Sequence, residues 1–157
     1  MAIAHRQGTR LSIDQVTTLI QEHFPQVQEG SGRLSIECLG PLTAVVRMAQ
    51  DPRAMRPGGT IMGPAMFKLA DFAVYAAILA ELGEEAIAAV TTSMTIHFLS
   101  RPQPADLLAH VRLLKLGRRL VVAEVEIFAE GKPDMVAQAT STYALPPALA
   151  GSGNMLP

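Results

Sequence analysis

The period of the hydrophobic positions changes several times along the chain, and each change marks an element. Ser12-Ile13-Asp14-Gln15 has the spacing of a capping box, and Ile13, Val16, Leu19 and Ile20 follow at helical intervals. A short helix is predicted to about Phe24, where Pro25 stops it. From Arg33 the period falls to two: Leu34, Ile36 and Cys38 share one side of a half-buried strand, and Arg33, Ser35 and Glu37 the other. Cys38 then reads as a small core residue. Gly40-Pro41 ends that strand, 42–49 reads as a second one, and a polar loop runs from Gln50 through Arg56-Pro57-Gly58-Gly59. The strongest helix covers 64–82, with Pro64 in its first turn, Gly83 as its C-cap and apolar residues all the way round. Such a helix must be wrapped.

Four β-rich runs supply the wrapping, at 89–100, 106–116, 120–130 and 135–145. Hairpin-sized turns at Gly117-Arg118-Arg119 and Gly131-Lys132-Pro133-Asp134 make the sheet antiparallel. In the first run Val90, Thr92, Met94, Ile96 and Phe98 face one way and Thr91, Ser93, Thr95 and His97 the other, while in the third Val121, Val125 and Ile127 oppose Glu124 and Glu126. The predicted class is α+β, a long central helix wrapped by a curved antiparallel sheet, each hiding its apolar face on the other. An N-terminal helical segment, 1–30, precedes the main domain at 31–147, and 148–157 reads as a flexible tail after Pro146-Pro147.

Composition narrows the chemistry. At 157 residues, with 49% apolar and 17% charged residues, the chain has the material for one packed domain and not the make-up of a disordered one. Its net charge of −1, two Tyr, five Phe and no Trp leave neither the basic stripe nor the stacking aromatics of a nucleic-acid binder. A single cysteine excludes a disulfide framework, and His5, His23, His97 and His110 have no metal-ligand spacing, so neither metal nor cofactor is expected. The N-terminus lacks the apolar core of a signal peptide and the longest apolar block, 73–80, is too short for a bilayer. A cytoplasmic protein with no membrane partner is expected.

Two features stand out against this background. Asp71 is a carboxylate in the middle of an apolar helix, flanked by Leu69, Ala70, Phe72, Ala73 and Val74, and such a group is costly to bury without a partner or a purpose. A structural ion pair would serve as well as a reaction. The other feature is the helix entry, Gly58-Gly59-Thr60-Ile61-Met62-Gly63-Pro64, whose free N–H groups can hold an oxygen that becomes negative during acyl transfer. Ordinary helix-start punctuation gives the same residues. Eight residues separate Gly63 from Asp71, about 12 Å along one helix, so one copy cannot bring both to a single carbonyl. Two antiparallel helices in a twofold dimer can, with Asp71 of each beside Gly63 of the other.

The run from Arg56 to Ala76, together with Val90-Thr91-Thr92-Ser93-Met94-Thr95-Ile96-His97-Phe98-Leu99-Ser100-Arg101-Pro102, resembles the hotdog-fold acyl-CoA thioesterases of the phenylacetate-degradation type. The resemblance extends over about 33–146. It implies a homodimer or dimer of dimers that hydrolyses a fatty or aromatic acyl-CoA, with Asp71 as nucleophile or general base and the Gly63 amide as oxyanion donor. Arg56 stands near the place of the family's loop Asn or Gln, and Met62 where a His is frequent. Arg101, Lys115, Arg118 and Arg119 are the candidates for the nucleotide phosphates, and Phe67, Met94 and Phe98 for the acyl pocket, although solvated turns and core packing account for the same residues. His97, on the polar face of its run, reads as surface or subunit contact.

Two further readings use the same scaffold. The missing His and Asn suit a binder of acyl-CoA or acyl carrier that does not hydrolyse. A hydroxyacyl-thioester dehydratase ranks lower, because dehydratases of this fold pair a His with the acid and the sequence puts none near the helix. No Gly-x-Ser-x-Gly elbow occurs, which disfavours a serine hydrolase.

Overall fold

The computed structural model describes residues 8–147; the expected tail, 148–157, lies outside the described residues. Helix α1, Ile13–His23, begins at a full capping box: the Ser12 hydroxyl accepts from Gln15 N while the Gln15 side chain accepts from Ser12 N. Pro25 ends it, and the chain makes one 3₁₀ turn, Pro25–Gln28. Strands β1, Leu34–Gly40, and β2, Thr43–Met48, form a hairpin. The stretch expected to be a polar loop is more ordered than its composition suggests. It holds a 3₁₀ turn, Pro52–Ala54, and a small hairpin of β3, Met55–Arg56, and β4, Thr60–Ile61. Gly58 and Gly59 close that hairpin at φ +99° and +76°, a left-handed path that side chains disfavour.

Helix α2, Gly63–Leu82, follows directly, and Gly83 at φ +78° ends it. Strands β5, Val90–Phe98, β6, Leu107–Leu116, β7, Leu120–Ala129, and β8, Met135–Ala144, complete the fold. The six-stranded sheet runs in the order β1-β2-β6-β7-β8-β5, antiparallel throughout, so β1 and β5 are its edges. Alternate positions of β6 and β7, among them Leu107, Val111, Val121, Val125 and Ile127, are buried on the face that α2 covers. From Leu69 to Ala80 only Asp71 escapes full burial. Alanines on both layers, such as Ala73 and Ala77 on the helix and Ala109, Ala123 and Ala139 on the sheet, let the two approach closely. This is the hotdog arrangement.

Two β-bulges correct the predicted faces. One falls between Ile36 and Cys38, where an extra residue on β1 shifts the alternation. Leu34 stays buried, but Cys38 is exposed and is not a core residue. The other falls between Thr91 and Ser93. It turns Val90 outward and brings Thr91 to the helix side, onto the face of Met94 and Ile96 rather than opposite them.

Candidate active site

Asp71 sits in the third turn of α2, on the flank that meets the start of β5 and the end of β8. Its Oδ1 accepts from Thr91 Oγ1 at 2.6 Å and from Tyr143 Oη at 2.7 Å. The same phenol lies 2.9 Å from the Asp71 backbone carbonyl oxygen, so one proton is shared between two acceptors. Register explains the meeting: Thr91 pairs with Tyr143 across β5 and β8, and both point at the helix. Burial, and then the adjacent carboxylate, hold the Tyr143 phenol far above its ordinary range, which keeps it a donor. Among the described residues nothing bonds Oδ2. One carboxylate oxygen is therefore fixed by two donors and the other is unengaged.

Asp71 borders a groove of about 500 Å³. Asp71, Phe72 and Tyr75 of α2 line it together with Thr91 and Tyr143, Phe24 and Val27 wall it from the N-terminal segment, and His23 and Lys68 also border it. Lys68 Nζ is committed to the carbonyl oxygens of Glu29 and Ser31, each at 3.1 Å, and burial lowers its pKa. The presence of His23 corrects the expectation that no histidine lies near the helix acid. It arrives from α1, a segment remote in sequence.

Of the catalytic and substrate-binding residues expected from the sequence, Asp71 alone borders this groove. The others gather elsewhere. At the start of α2, Met62 is the N-cap and offers no side-chain acceptor, leaving the first-turn amides without a side-chain cap. The Phe98 ring packs over Gly63, where a Cβ would come within 3.0 Å of Phe98 Cζ. Arg56 is exposed on β3, and Arg101 is exposed beside Pro102, whose carbonyl accepts from Ile61 N at 3.1 Å. Phe67 is exposed on α2 and Met94 is half-buried on β5. Lys115, Arg118 and Arg119 are exposed at the other end of the sheet, the end that holds Asp71, because Leu145 N donates to Arg119 O at 2.8 Å. His97 is exposed, as its position on the polar face implied. Gly63 beside Phe98 and Asp71 beside Thr91 thus lie at opposite ends of β5.

The described residues contain no group of three or more His, Cys, Asp or Glu that could hold a metal ion, and no described helix is long and apolar enough to cross a membrane. Thr91 and Tyr143 were missed by the sequence reading. Tyr143 did leave a signal: a tyrosine in a strand made largely of small residues is suited to the interior, where its hydroxyl needs an acceptor. Asp71 supplies that acceptor.

Comparison with known proteins identifies the family of this fold. The model of the thioesterase superfamily matches residues 58–136, from the β3–β4 hairpin to the start of β8. A solved structure of a candidate thioesterase from Silicibacter sp. TM1040 is 42% identical, with a TM-score of 0.80, covering 91% of this chain and 97% of that one. Zebrafish thioesterase superfamily member 2, 23% identical at a TM-score of 0.73, covers 87% of this chain and 99% of its own. The PaaI protein of the Escherichia coli phenylacetic acid degradation operon, 21% identical at 0.72, covers 85% and 93%; these last two speak to the fold alone. The curated proteins include no match. With half its length matched by the family model and 42% identity to a structure it spans almost completely, the chain belongs to the thioesterase superfamily.

Proposed function

We propose that the protein is a dimeric acyl-CoA thioesterase that hydrolyses a fatty or aromatic acyl-CoA, with Asp71 as its reactive carboxylate. The observation that carries this reading is the state of Asp71: an acid on an otherwise apolar helix, bordering a groove and held through Oδ1 by two hydroxyls, with Oδ2 unengaged. A purely structural carboxylate would be expected to meet a cation. Asp71 has no ion-pair partner among the described residues.

Edge strand β5 supports the dimer. It pairs only with β8, so its outer backbone groups are open to a second copy. An antiparallel pairing of two β5 strands about a twofold near Met94 and Thr95 sets Thr91 of one copy opposite Phe98 of the other. Asp71 then faces Gly63 of the partner subunit. In the general-base route, Oδ2 takes a proton from water as the water oxygen adds to the thioester carbonyl carbon, and the displaced electron pair rests on the carbonyl oxygen, held by the partner's Gly63 N–H. Collapse re-forms the carbonyl, breaks the C–S bond and returns the proton to the CoA sulfur. In the nucleophilic route Oδ2 adds to the carbonyl carbon itself, the C–S bond breaks as CoA leaves as its thiolate, and water then adds to the resulting mixed anhydride, freeing the acid, restoring the Asp71 carboxylate and leaving a proton for the CoA sulfur.

Asp71→Asn is the decisive variant. Thiol release from a panel of short, long and aromatic acyl-CoAs is expected to fall at least about a hundredfold while the protein stays folded. Unaltered turnover would remove Asp71 from the reaction. A second reading, a hydroxyacyl-thioester dehydratase, is favoured by His23 in the same groove. It yields an absorbing enoyl thioester and no free thiol, whereas saturable binding without either product marks a non-hydrolytic binder.

A further inference from the structure

The groove that starts at Asp71 has one wall from outside the family match. Residues 58–136 supply Phe72 and Tyr75, but Phe24 and Val27 come from the end of α1 and the 3₁₀ turn after it. Phe24 packs edge-to-face on Tyr75, with ring centroids 6.1 Å apart and planes at 86°, yet it remains 43% exposed. An apolar ring face is thereby left open on the groove. Tyr75 brings no free polar group to this wall, since its hydroxyl donates to Ile87 O at 2.8 Å. Burial raises its pKa, which keeps that donor protonated.

The position of the groove limits its occupant. For Asp71 to act on a thioester, the carbonyl carbon must lie near its carboxylate, directly or across one water, and the acyl substituent must extend into space that begins there. The groove is such a space: Tyr75 stands one turn, about 6 Å, beyond Asp71, and Phe24 packs on Tyr75 along the same groove. Its volume of about 500 Å³ is in the usual range for a small-molecule site. Resting on the thioesterase reading, we propose that this groove is the subsite for the apolar acyl group, and that Phe24 and Val27 make the N-terminal segment the element that selects among acyl groups.

The test is a selectivity ratio. Ala88, exposed on the groove between α2 and β5, is replaced in Ala88→Phe to fill the space, and Phe24→Ala removes the wall; both sites are accessible enough for the variants to fold. For each, kcat/KM is measured for octanoyl-CoA and phenylacetyl-CoA relative to acetyl-CoA. Both ratios are expected to fall by about tenfold or more in Ala88→Phe, and at least one to move by a similar factor in Phe24→Ala. Ratios equal to wild type in both variants overturn the proposal. Asp71→Asn measured alongside separates the two ideas: loss with every acyl-CoA sustains the catalytic reading whatever the groove does, and its full activity removes that reading while leaving the ratios to be judged. Should the protein release no thiol from any substrate, affinities for the octanoyl and acetyl thioether analogues of CoA supply the same ratio, with the same two outcomes.

Discussion

Two hydroxyls hold Asp71 Oδ1, and they are expected to matter differently when removed. Thr91 is half-buried and on the groove, so its loss should affect the orientation of the carboxylate more than the fold. A hydrogen bond to a charged group contributes about 1.5 kcal/mol or more. If that is spent on orientation, Thr91→Val lowers kcat about tenfold with KM nearly constant, and Thr91→Ser restores it; a change confined to KM would argue against an orienting role. Tyr143 is 3% exposed and belongs to the interior. Its raised pKa has a definite consequence at high pH. Between the ordinary tyrosine value near 10 and the raised one, the unfolded chain has lost the phenolic proton and the native chain keeps it, so stability present below about pH 10 falls as pH rises beyond it. Tyr75, raised by burial, adds a slope of the same sign. Urea unfolding at about pH 8 and about pH 11 is expected to show wild type losing stability and Tyr143→Phe losing less; equal losses would point to another group.

Helix α2 buries more apolar residues than any other single element and was the most legible part of the sequence. Its run of alanine and leucine, closed by Gly83, fixed its extent to within a residue. The four strands after it were equally plain, because alternation and short turns both mark them. What alternation alone does not reveal is a bulge. One inserted residue in β1 put Cys38 in water, and one in β5 brought Thr91 to Asp71, and neither site has a glycine or proline to announce it. The groove was less legible still, since His23, Phe24 and Val27 meet Asp71 only through the packing of α1 on α2. Stability should follow the same division. Ile78, fully buried on α2, is expected to cost about 2–5 kcal/mol on change to Ala, and Ser12→Ala about 1 kcal/mol through the lost cap. Denaturant midpoints measure both, and a Ser12→Ala loss as large as that of Ile78→Ala would mean that α1 holds the sheet as firmly as α2 does.

For the molecule as a whole, the proposed joint use of Asp71 and the Gly63 amide sets the requirement. Asp71 stands by Thr91 at the start of β5, and Gly63 by Phe98 at its end, so no motion within one chain short of unfolding α2 brings them together. A second copy meets the requirement without any motion. The edge that would receive it is apolar as well as unpaired: Val90 is 58% exposed, Phe98 52% and Leu99 57%. Thr95 lies near the middle of β5 with an exposed side chain, so lysine there would set like charges of the two copies close together beside the twofold and oppose the pairing. If the site is shared across this edge, Thr95→Lys is expected to sediment as a monomer and to lose thiol release together with the dimer. Wild type diluted through its dissociation range should lose specific activity in proportion to the dimer fraction. A monomer that kept its activity per chain would mean that Asp71 works without Gly63 of the partner subunit, and the oxyanion donor would then have to be found within reach of Thr91 and Tyr143 on the same chain.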